Sequence, residues 1–145
     1  MTFRSNLLFL LVVLISCNRI ETGDTLNKTD IKRIQKLNLL DKDEKIYKFY
    51  SEFNNKVAGN FFTNKRLAKY WIDNKNKTKE VSYAFYPDVK SIDTVYYAGA
   101  TYCPFMLITK NDSSQFKVSV DGKREEIKKF FEEALNIWTQ NKRVK

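Results

Sequence analysis

The alternation of hydrophobic and polar residues predicts a mainly β domain that follows one short helix and ends in another helix. Apolar residues recur at helical spacing over 29–41 and again over 123–141. Between these segments lie seven short runs rich in aromatic and β-branched residues, which predict strands. The runs are 44–53, 56–63, 66–72, 81–86, 91–98, 105–109 and 116–120. We therefore expect an α+β fold, mainly β, with a small seven-stranded antiparallel barrel or sandwich within residues 43–145.

The predicted C-terminal helix carries a continuous apolar stripe. Its members recur at intervals of three and four residues: Ile127, Phe130, Phe131, Ala134, Leu135 and Trp138. Glu125 and Glu126 lie in the first turn, and Lys142 and Arg143 follow the last turn, so both ends match the helix dipole. A stripe of this size needs an apolar surface to cover it. The sequence therefore predicts that this helix caps the β domain.

The first sixteen residues have the pattern of an export signal. Arg4 supplies a positive charge, and residues 7–15 form an unbroken apolar run. A helix of that length spans roughly 14 Å, which is less than half of a hydrocarbon core of about 30 Å. The run is therefore too short for an ordinary transmembrane helix, and we predict a signal peptide over 1–16.

The end of this segment, Leu14-Ile15-Ser16-Cys17, resembles the lipobox of bacterial lipoproteins. The resemblance implies that Cys17 is lipidated and becomes the mature N-terminus, so that the protein is lipid-anchored in the bacterial cell envelope. Asn18, rather than an aspartate, follows the cysteine, which by the same resemblance favours the outer membrane in a cell with two membranes. Residues 17–28 are polar, and we expect them to form a flexible tether. The alternative is a plain secretory signal with an incidental cysteine.

The order of seven strands and one amphipathic C-terminal helix resembles the pleckstrin-homology-like (PH-like) barrel. Residues 59–67 are similar to the turn and Thr-x-x-Arg-Leu hairpin of bacterial PH-like domains, here Thr63-Asn64-Lys65-Arg66-Leu67. Residues 86–92 are similar to the lead-in to their fifth strand. The resemblance covers about 43–141 and implies a PH-like β domain. The main alternative is an unrelated α+β lipoprotein domain.

The composition excludes several kinds of active site. The chain has no histidine, which removes Ser-His-Asp and Cys-His catalysis and histidine-ligated zinc. With Cys17 lipidated, Cys103 is the one remaining cysteine, either as a buried thiol or for pairing between molecules. The carboxylates lack the spacing of an acid–base pair. We therefore predict no catalytic residue, no metal and no cofactor, and we do not expect an enzyme.

Positive charge is concentrated in one part of the chain. The net charge is +9, and the stretch 42–79 holds ten basic and four acidic residues. In an exported protein, such a face favours an acidic protein or an anionic lipid surface as partner, and not nucleic acid. The candidate residues are Lys56, Lys65, Arg66 and Lys69, and Arg66 and Lys69 are expected to stay solvent-exposed at the rim of their strand. The alternative is that these residues only keep a small β domain soluble.

These features predict a non-catalytic, membrane-anchored lipoprotein that binds a protein or an envelope component through its β domain. A second hypothesis is an exported immunity or inhibitor protein that neutralises a toxin at the membrane. The sequence itself names no ligand, so the two hypotheses stay open at this point.

Overall fold

Two antiparallel β-sheets and a C-terminal helix form the framework of the described part of the protein. The computed structural model describes residues 20–100 and 102–142. Its elements in chain order are α1 (Lys28–Lys36), β1 (Ile46–Tyr50), β2 (Ala58–Thr63), β3 (Arg66–Asp73), β4 (Thr78–Phe85), a 3₁₀ turn (Tyr86–Asp88), β5 (Val89–Val95), β6 (Phe105–Lys110), β7 (Gln115–Ser119) and α2 (Arg124–Asn141). Sheet A has the strand order β1-β2-β3-β4, and sheet B has the order β5-β6-β7.

The predicted fold class is confirmed at this level: the protein is mainly β, with two antiparallel sheets and a C-terminal helix. The two sheets do not join into a closed barrel within the described residues, so the seven-stranded barrel is matched only in part. The predicted signal peptide over 1–16 and the predicted lipidation site Cys17 lie outside the described residues.

Sheet A has two ends that differ in their connections. The β2–β3 turn consists of Asn64 and Lys65 alone, and it lies beside the segment 41–45 that leads into β1. At the other end are the β1–β2 connection, 51–57, and the β3–β4 turn, 74–77. We call the first of these the turn end and the second the loop end. Because all neighbouring strands in sheet A are antiparallel, each end collects residues that are distant in sequence.

Both faces of sheet A contribute to a hydrophobic core. The inner face packs against sheet B and α2 through residues such as Phe62 and Leu67. The outer face packs against α1 through residues such as Phe61 and Tyr70, which share a core with Ile34. Successive side chains of a strand point to opposite faces, so each residue of β2 enters one of the two cores or a buried polar site. This is why β2 is buried along its whole length and its sequence lacks a polar–apolar alternation.

The segment before α1 is packed along the edge of sheet A. The backbone N–H groups of Glu21 and Phe49 each donate to the other residue's carbonyl at 2.8 Å. The N–H of Gly23 donates to the carbonyl of Ile46 at 3.2 Å. Within the described part of the expected flexible tether, 17–28, Glu21 to Gly23 therefore add to the edge of β1, and Lys28 already belongs to α1. The backbone pairing that holds it uses no side-chain pattern, which is why composition alone indicated a loop.

Helix α1 is shorter than the helix predicted over 29–41. The chain leaves the helix before Asn38, whose φ of 59° lies in the left-handed region. The two leucines that follow, Leu39 and Leu40, are buried in the outer core without being helical. Their apolar side chains extended the helical pattern in the sequence, but they serve the same core from an irregular segment.

Helix α2 packs on the inner core close to the bounds predicted for it. The buried part of its stripe consists of Ile127, Phe130, Phe131 and Ala134. The ring of Phe130 meets the ring of Phe62 edge-on, with the centroids 5.0 Å apart. Leu135 and Trp138 are only half-buried, so the last turns of the helix contribute less to the core than the pattern predicted.

Candidate functional site

The four basic residues predicted as a binding site do not come together. Lys65 and Arg66 lie at the turn end of sheet A, whereas Lys56 lies at the loop end, on the far side of β2. A six-residue strand such as β2 is about 20 Å long. Lys69 lies in the middle of β3, opposite Asn60, and is half-buried. The sequence therefore grouped residues that the fold separates.

Arg66 is buried in an ion cluster of the chain itself. Only 2% of its surface is exposed. Its Nε and Nη2 atoms donate to the two carboxylate oxygens of Glu44 at 2.9 and 2.6 Å, and its Nη1 donates to the carbonyl of Asn38 at 3.2 Å. Asp41 lies 3.1 Å from Nη2, and the ring of Phe85 lies 4.4 Å from the guanidinium carbon. Every guanidinium nitrogen thus has a partner within the protein.

The expectation that Arg66 stays at a solvent-exposed rim is therefore wrong. Its bidentate pairing with Glu44 compensates the removal of both charges from water. Lys65 is also engaged, because its Nζ lies 3.0 and 3.1 Å from the two carboxylate oxygens of Asp43. This hydrogen bond lowers the pKa of Asp43 and raises the pKa of Lys65, so both groups stay charged and paired. Lys65 and Arg66 therefore offer little free positive charge to an anionic partner.

A cleft of about 660 Å³ lies between sheet A and the β6–β7 hairpin. One wall is the outer edge of β4, and the other wall is the hairpin turn around Asp112. Its lining residues are Val81, Ser82, Tyr83, Ala84, Phe85, Asp88, Lys110, Asn111, Asp112, Ser114, Gln115 and Phe116. Ala84 and Phe116 are the two buried members, and both belong to the inner core. The cleft therefore opens towards the space between the two sheets.

The outer edge of β4 carries unused pairing capacity. In the part of the chain that the structure describes, β4 pairs with β3 along all eight residues and no strand pairs with its other edge. An extended polypeptide segment fits such an edge by backbone hydrogen bonding, while neighbouring pockets accept its alternate side chains. The prediction of a strand over 81–86 matched the second half of β4 and missed its first three residues. No local signal in the sequence distinguished an edge strand from an internal one.

The walls of the cleft are polar and mixed in charge. Lys110 and Asp112 approach to 3.8 Å, and Asp88 lies at the same side. The side-chain and backbone groups of Ser114 donate to Asp112, which lowers the pKa of that carboxyl and keeps it ionised. The turn is thereby held in one conformation. This arrangement favours recognition of a peptide's backbone and polar groups over recognition of a single charge.

Cys103 does not have the environment of a reactive thiol. It is half-buried in the β5–β6 connection and has no disulfide partner among the described residues. Burial raises its pKa, and the carboxylates of Asp121 and Glu52 raise it further, so the thiolate is disfavoured. Within the described ranges, no group of three or more potential ligands forms a metal site.

None of the helices in the described part of the chain is long and apolar enough to cross a membrane.

Comparisons with known proteins give no relative from which a function could be transferred. A scan of protein-family models, a search of curated proteins and a search of solved structures each find no match to this chain.

Proposed function

We propose that this protein is a non-catalytic, lipid-anchored lipoprotein of the bacterial envelope that binds an extended segment of a partner protein in the cleft beside β4. The observation that carries the binding proposal is the outer edge of β4, which no strand pairs with among the described residues and which borders a cleft of about 660 Å³. A cleft of this size lies within the range of about 300–1,000 Å³ that is common for ligand sites. An edge strand of eight residues offers a peptide several backbone hydrogen bonds.

The domain itself is proposed to be a PH-like barrel that stays open on the β4 side. Four strands followed by three strands and a C-terminal helix support this assignment, as does β5, which starts directly after the turn Tyr86–Asp88. The lipid anchor is proposed at Cys17, and the outer membrane is favoured where the cell has two. The partner is a protein or envelope component, and nucleic acid is not proposed.

Lipidation is the part of this proposal that one substitution tests. Expressed in a bacterium with lipoprotein processing, the protein should incorporate labelled palmitate and partition into detergent. Cys17→Ala should abolish both and leave unprocessed precursor, because the acylated sulfur would be missing. Cys103→Ala is the matched control and should be labelled as strongly as the unchanged protein. Efficient processing and release of the Cys17→Ala protein would instead establish an ordinary secretory signal.

The cleft is tested by site-specific photo-crosslinking in cells. A photoreactive residue at Ser114 or Gln115, both exposed in the cleft wall, should yield a crosslink to an envelope protein. The same residue at Lys32 or Asn136, which are exposed on the two helices, should not. A synthetic peptide of the crosslinked segment should then slow hydrogen exchange of the β4 amides. Equal crosslinking from all four positions, or unchanged exchange in β4, would contradict the cleft as the binding site.

A further inference from the structure

We propose that the loop end of sheet A is a bilayer-contact surface, in which Phe53 and Trp71 enter the membrane interface beside anionic lipid headgroups. This inference rests on the lipid anchor of the proposed function. It adds an orientation: the loop end faces the lipid, and the turn end faces away from it.

The first support is the direction in which the chain leaves the domain. Glu21 pairs with Phe49 in an antiparallel bridge, and Gly23 pairs with Ile46 further along. Going backwards from Gly23 to Glu21, the chain therefore runs towards the C-terminal end of β1. Ile20, the first described residue, lies at the end of β1 from which the loop 51–57 departs. The membrane anchor must reach the domain at this loop end.

The second support is the length of chain between the anchor and the domain. Two residues separate Cys17 from Ile20 in the sequence. Three steps of fully extended chain span at most about 11 Å, whatever conformation they adopt. A flexible tether over 17–28 would have allowed the domain to turn freely, but the pairing of Glu21 with β1 removes most of that length. A lipid on Cys17 therefore holds the loop end at the bilayer surface.

The third support is the chemistry of the loop end. Phe53 is 66% exposed and is the one largely exposed phenylalanine among the described residues. Its ring meets the ring of Trp71 edge-on, with the centroids 5.5 Å apart. Tryptophan is enriched at the membrane interface, where its amphipathic ring sits among the headgroups. Trp71 is half-buried and Phe53 is exposed, so it is mainly the Phe53 ring that is unfavourable in water, and the neighbouring bilayer is the environment that covers it.

The loop that presents Phe53 is held in place by polar contacts. The side-chain amide of Asn55 donates to Glu21 at 3.1 Å and to Asp30 at 2.9 Å. The hydroxyl of Tyr70 donates to the carbonyl of Asn55. The loop is thus tied both to the segment that leads to the anchor and to α1. Phe53 is therefore presented on a fixed support, so little conformational entropy is lost when it enters the interface.

Three exposed lysines lie at the same end of sheet A as the aromatic pair. Lys56 lies in the same loop, and Lys75 and Lys77 lie in the β3–β4 turn at the same end of the sheet; all three are exposed. None of them forms an ion pair within the described residues. The nearby Asp73 is occupied by its own turn, where it accepts hydrogen bonds from the backbone of Lys75 and Asn76. Free ammonium groups at this position match an anionic headgroup layer.

The chain contains a matched pair of reporters for this proposal. It has two tryptophans: Trp71 at the loop end, and Trp138 near the end of α2. Asn141, one turn beyond Trp138, lines a depression with Asn64 and Lys65, which places this part of α2 at the turn end. Trp71 and Trp138 should therefore report on opposite ends of the same anchored domain.

The experiment uses the lipidated full-length protein in vesicles of phosphatidylethanolamine and phosphatidylglycerol with brominated acyl chains, which quench nearby tryptophan. With Trp138→Phe, the emission of Trp71 should fall at least about twofold, and with Trp71→Phe, the emission of Trp138 should stay unchanged. Phe53→Ser should reduce the quenching of Trp71. Joint change of Lys56, Lys75 and Lys77 to Gln should also reduce the quenching of Trp71. The control is the same change at three lysines exposed on the turn-end side, which should leave the quenching unchanged: Lys42, Lys45 and Lys90.

The outcomes separate the two proposals. If mass spectrometry shows the diacylglyceryl group on Cys17 but the two tryptophans are quenched equally, or neither is quenched, the contact surface is wrong and the anchor stands. If the purified protein carries no lipid on Cys17, both the anchor and the surface are overturned. Circular dichroism of each variant shows whether a loss of quenching comes from a loss of fold.

Discussion

The two ends of sheet A draw on the same lysine-rich stretch of sequence and differ in what their charges can do. At the turn end, Lys65 and Arg66 are paired with acids contributed by the segment that precedes β1. At the loop end, Lys56, Lys75 and Lys77 have no ion-pair partner in the described ranges. The comparison teaches that basic residues of one sequence stretch can differ in whether the fold pairs them with an acid, which their sequence positions do not reveal.

The turn end is a structural centre. Glu44 is buried with Arg66, and the hydroxyl of Thr63 also donates to Glu44. These contacts join the segment after α1 to the β2–β3 hairpin, so that charges separated by 22 positions hold three parts of the chain together. The loop end has no such buried pair among Lys56, Lys75 and Lys77, and its conformation depends on amide and backbone contacts around Asn55. We expect the two ends to respond very differently to substitution.

The largest effect on the free energy of unfolding is expected from breaking the buried ion pair of Glu44 and Arg66 at the turn end. Glu44→Ala leaves the Arg66 guanidinium buried with only Asp41 as a charged partner, and should cost about 3–5 kcal/mol of unfolding free energy. Urea unfolding followed by circular dichroism measures the loss. Glu80→Ala, an exposed change in β4, is the control and should stay within about 0.5 kcal/mol. A loss equal to that of the control would show that the ion pair adds nothing to stability.

A smaller effect at the turn end depends on pH. Burial raises the pKa of Tyr86 far above that of an ordinary phenol, and its hydroxyl donates to the carbonyl of Thr63 at 2.6 Å. The folded protein therefore keeps the phenol neutral, whereas the unfolded chain ionises it near pH 10. This contribution to stability is complete below about pH 10 and is lost as the pH rises above that value, by about 1.4 kcal/mol per pH unit.

The measurement is the free energy of unfolding in urea at about pH 8 and about pH 11. Tyr86→Phe should lower stability by about 1 kcal/mol at the lower pH, because one buried hydrogen bond is lost. Between the lower and the higher pH, the free energy of unfolding of this variant should then fall by less than that of the unchanged protein. Other groups that titrate in this range, including Tyr50 and Tyr70, whose pKa values burial also raises, affect both proteins alike. If the free energy of unfolding fell equally in the variant and in the unchanged protein, Tyr86 would ionise without unfolding the turn end.

The smallest effect on stability is expected at the loop end. Joint change of Lys56, Lys75 and Lys77 to Gln should alter the unfolding free energy by less than about 0.5 kcal/mol, because these side chains are exposed and make no ion pair in the described ranges. Thermal unfolding of the triple variant beside the unchanged protein measures this. A loss comparable to that of Glu44→Ala would mean that the loop end is a structural centre as well, and would remove the contrast between the ends.

Much of the architecture followed from local patterns in the sequence. The stripe from Ile127 to Ala134 predicted α2 because a helix repeats its faces every three to four residues. The run from Phe116 to Val118 predicted β7 because a strand alternates its faces at every residue. Both signals require only neighbours in sequence. They therefore identified the type and position of these elements, while their ends moved by a few residues.

The sequence by itself therefore determined the mainly β class, the strands, the C-terminal helix and the absence of histidine chemistry. Only the tertiary structure decided which sheet edge has no partner strand among the described residues, that Glu21 pairs with β1, and that Arg66 meets Glu44. The physical reason is range: helical and strand periodicities act over a few residues, whereas edge pairing and charge compensation join groups tens of residues apart. The candidate surfaces of this protein arise from these long-range arrangements.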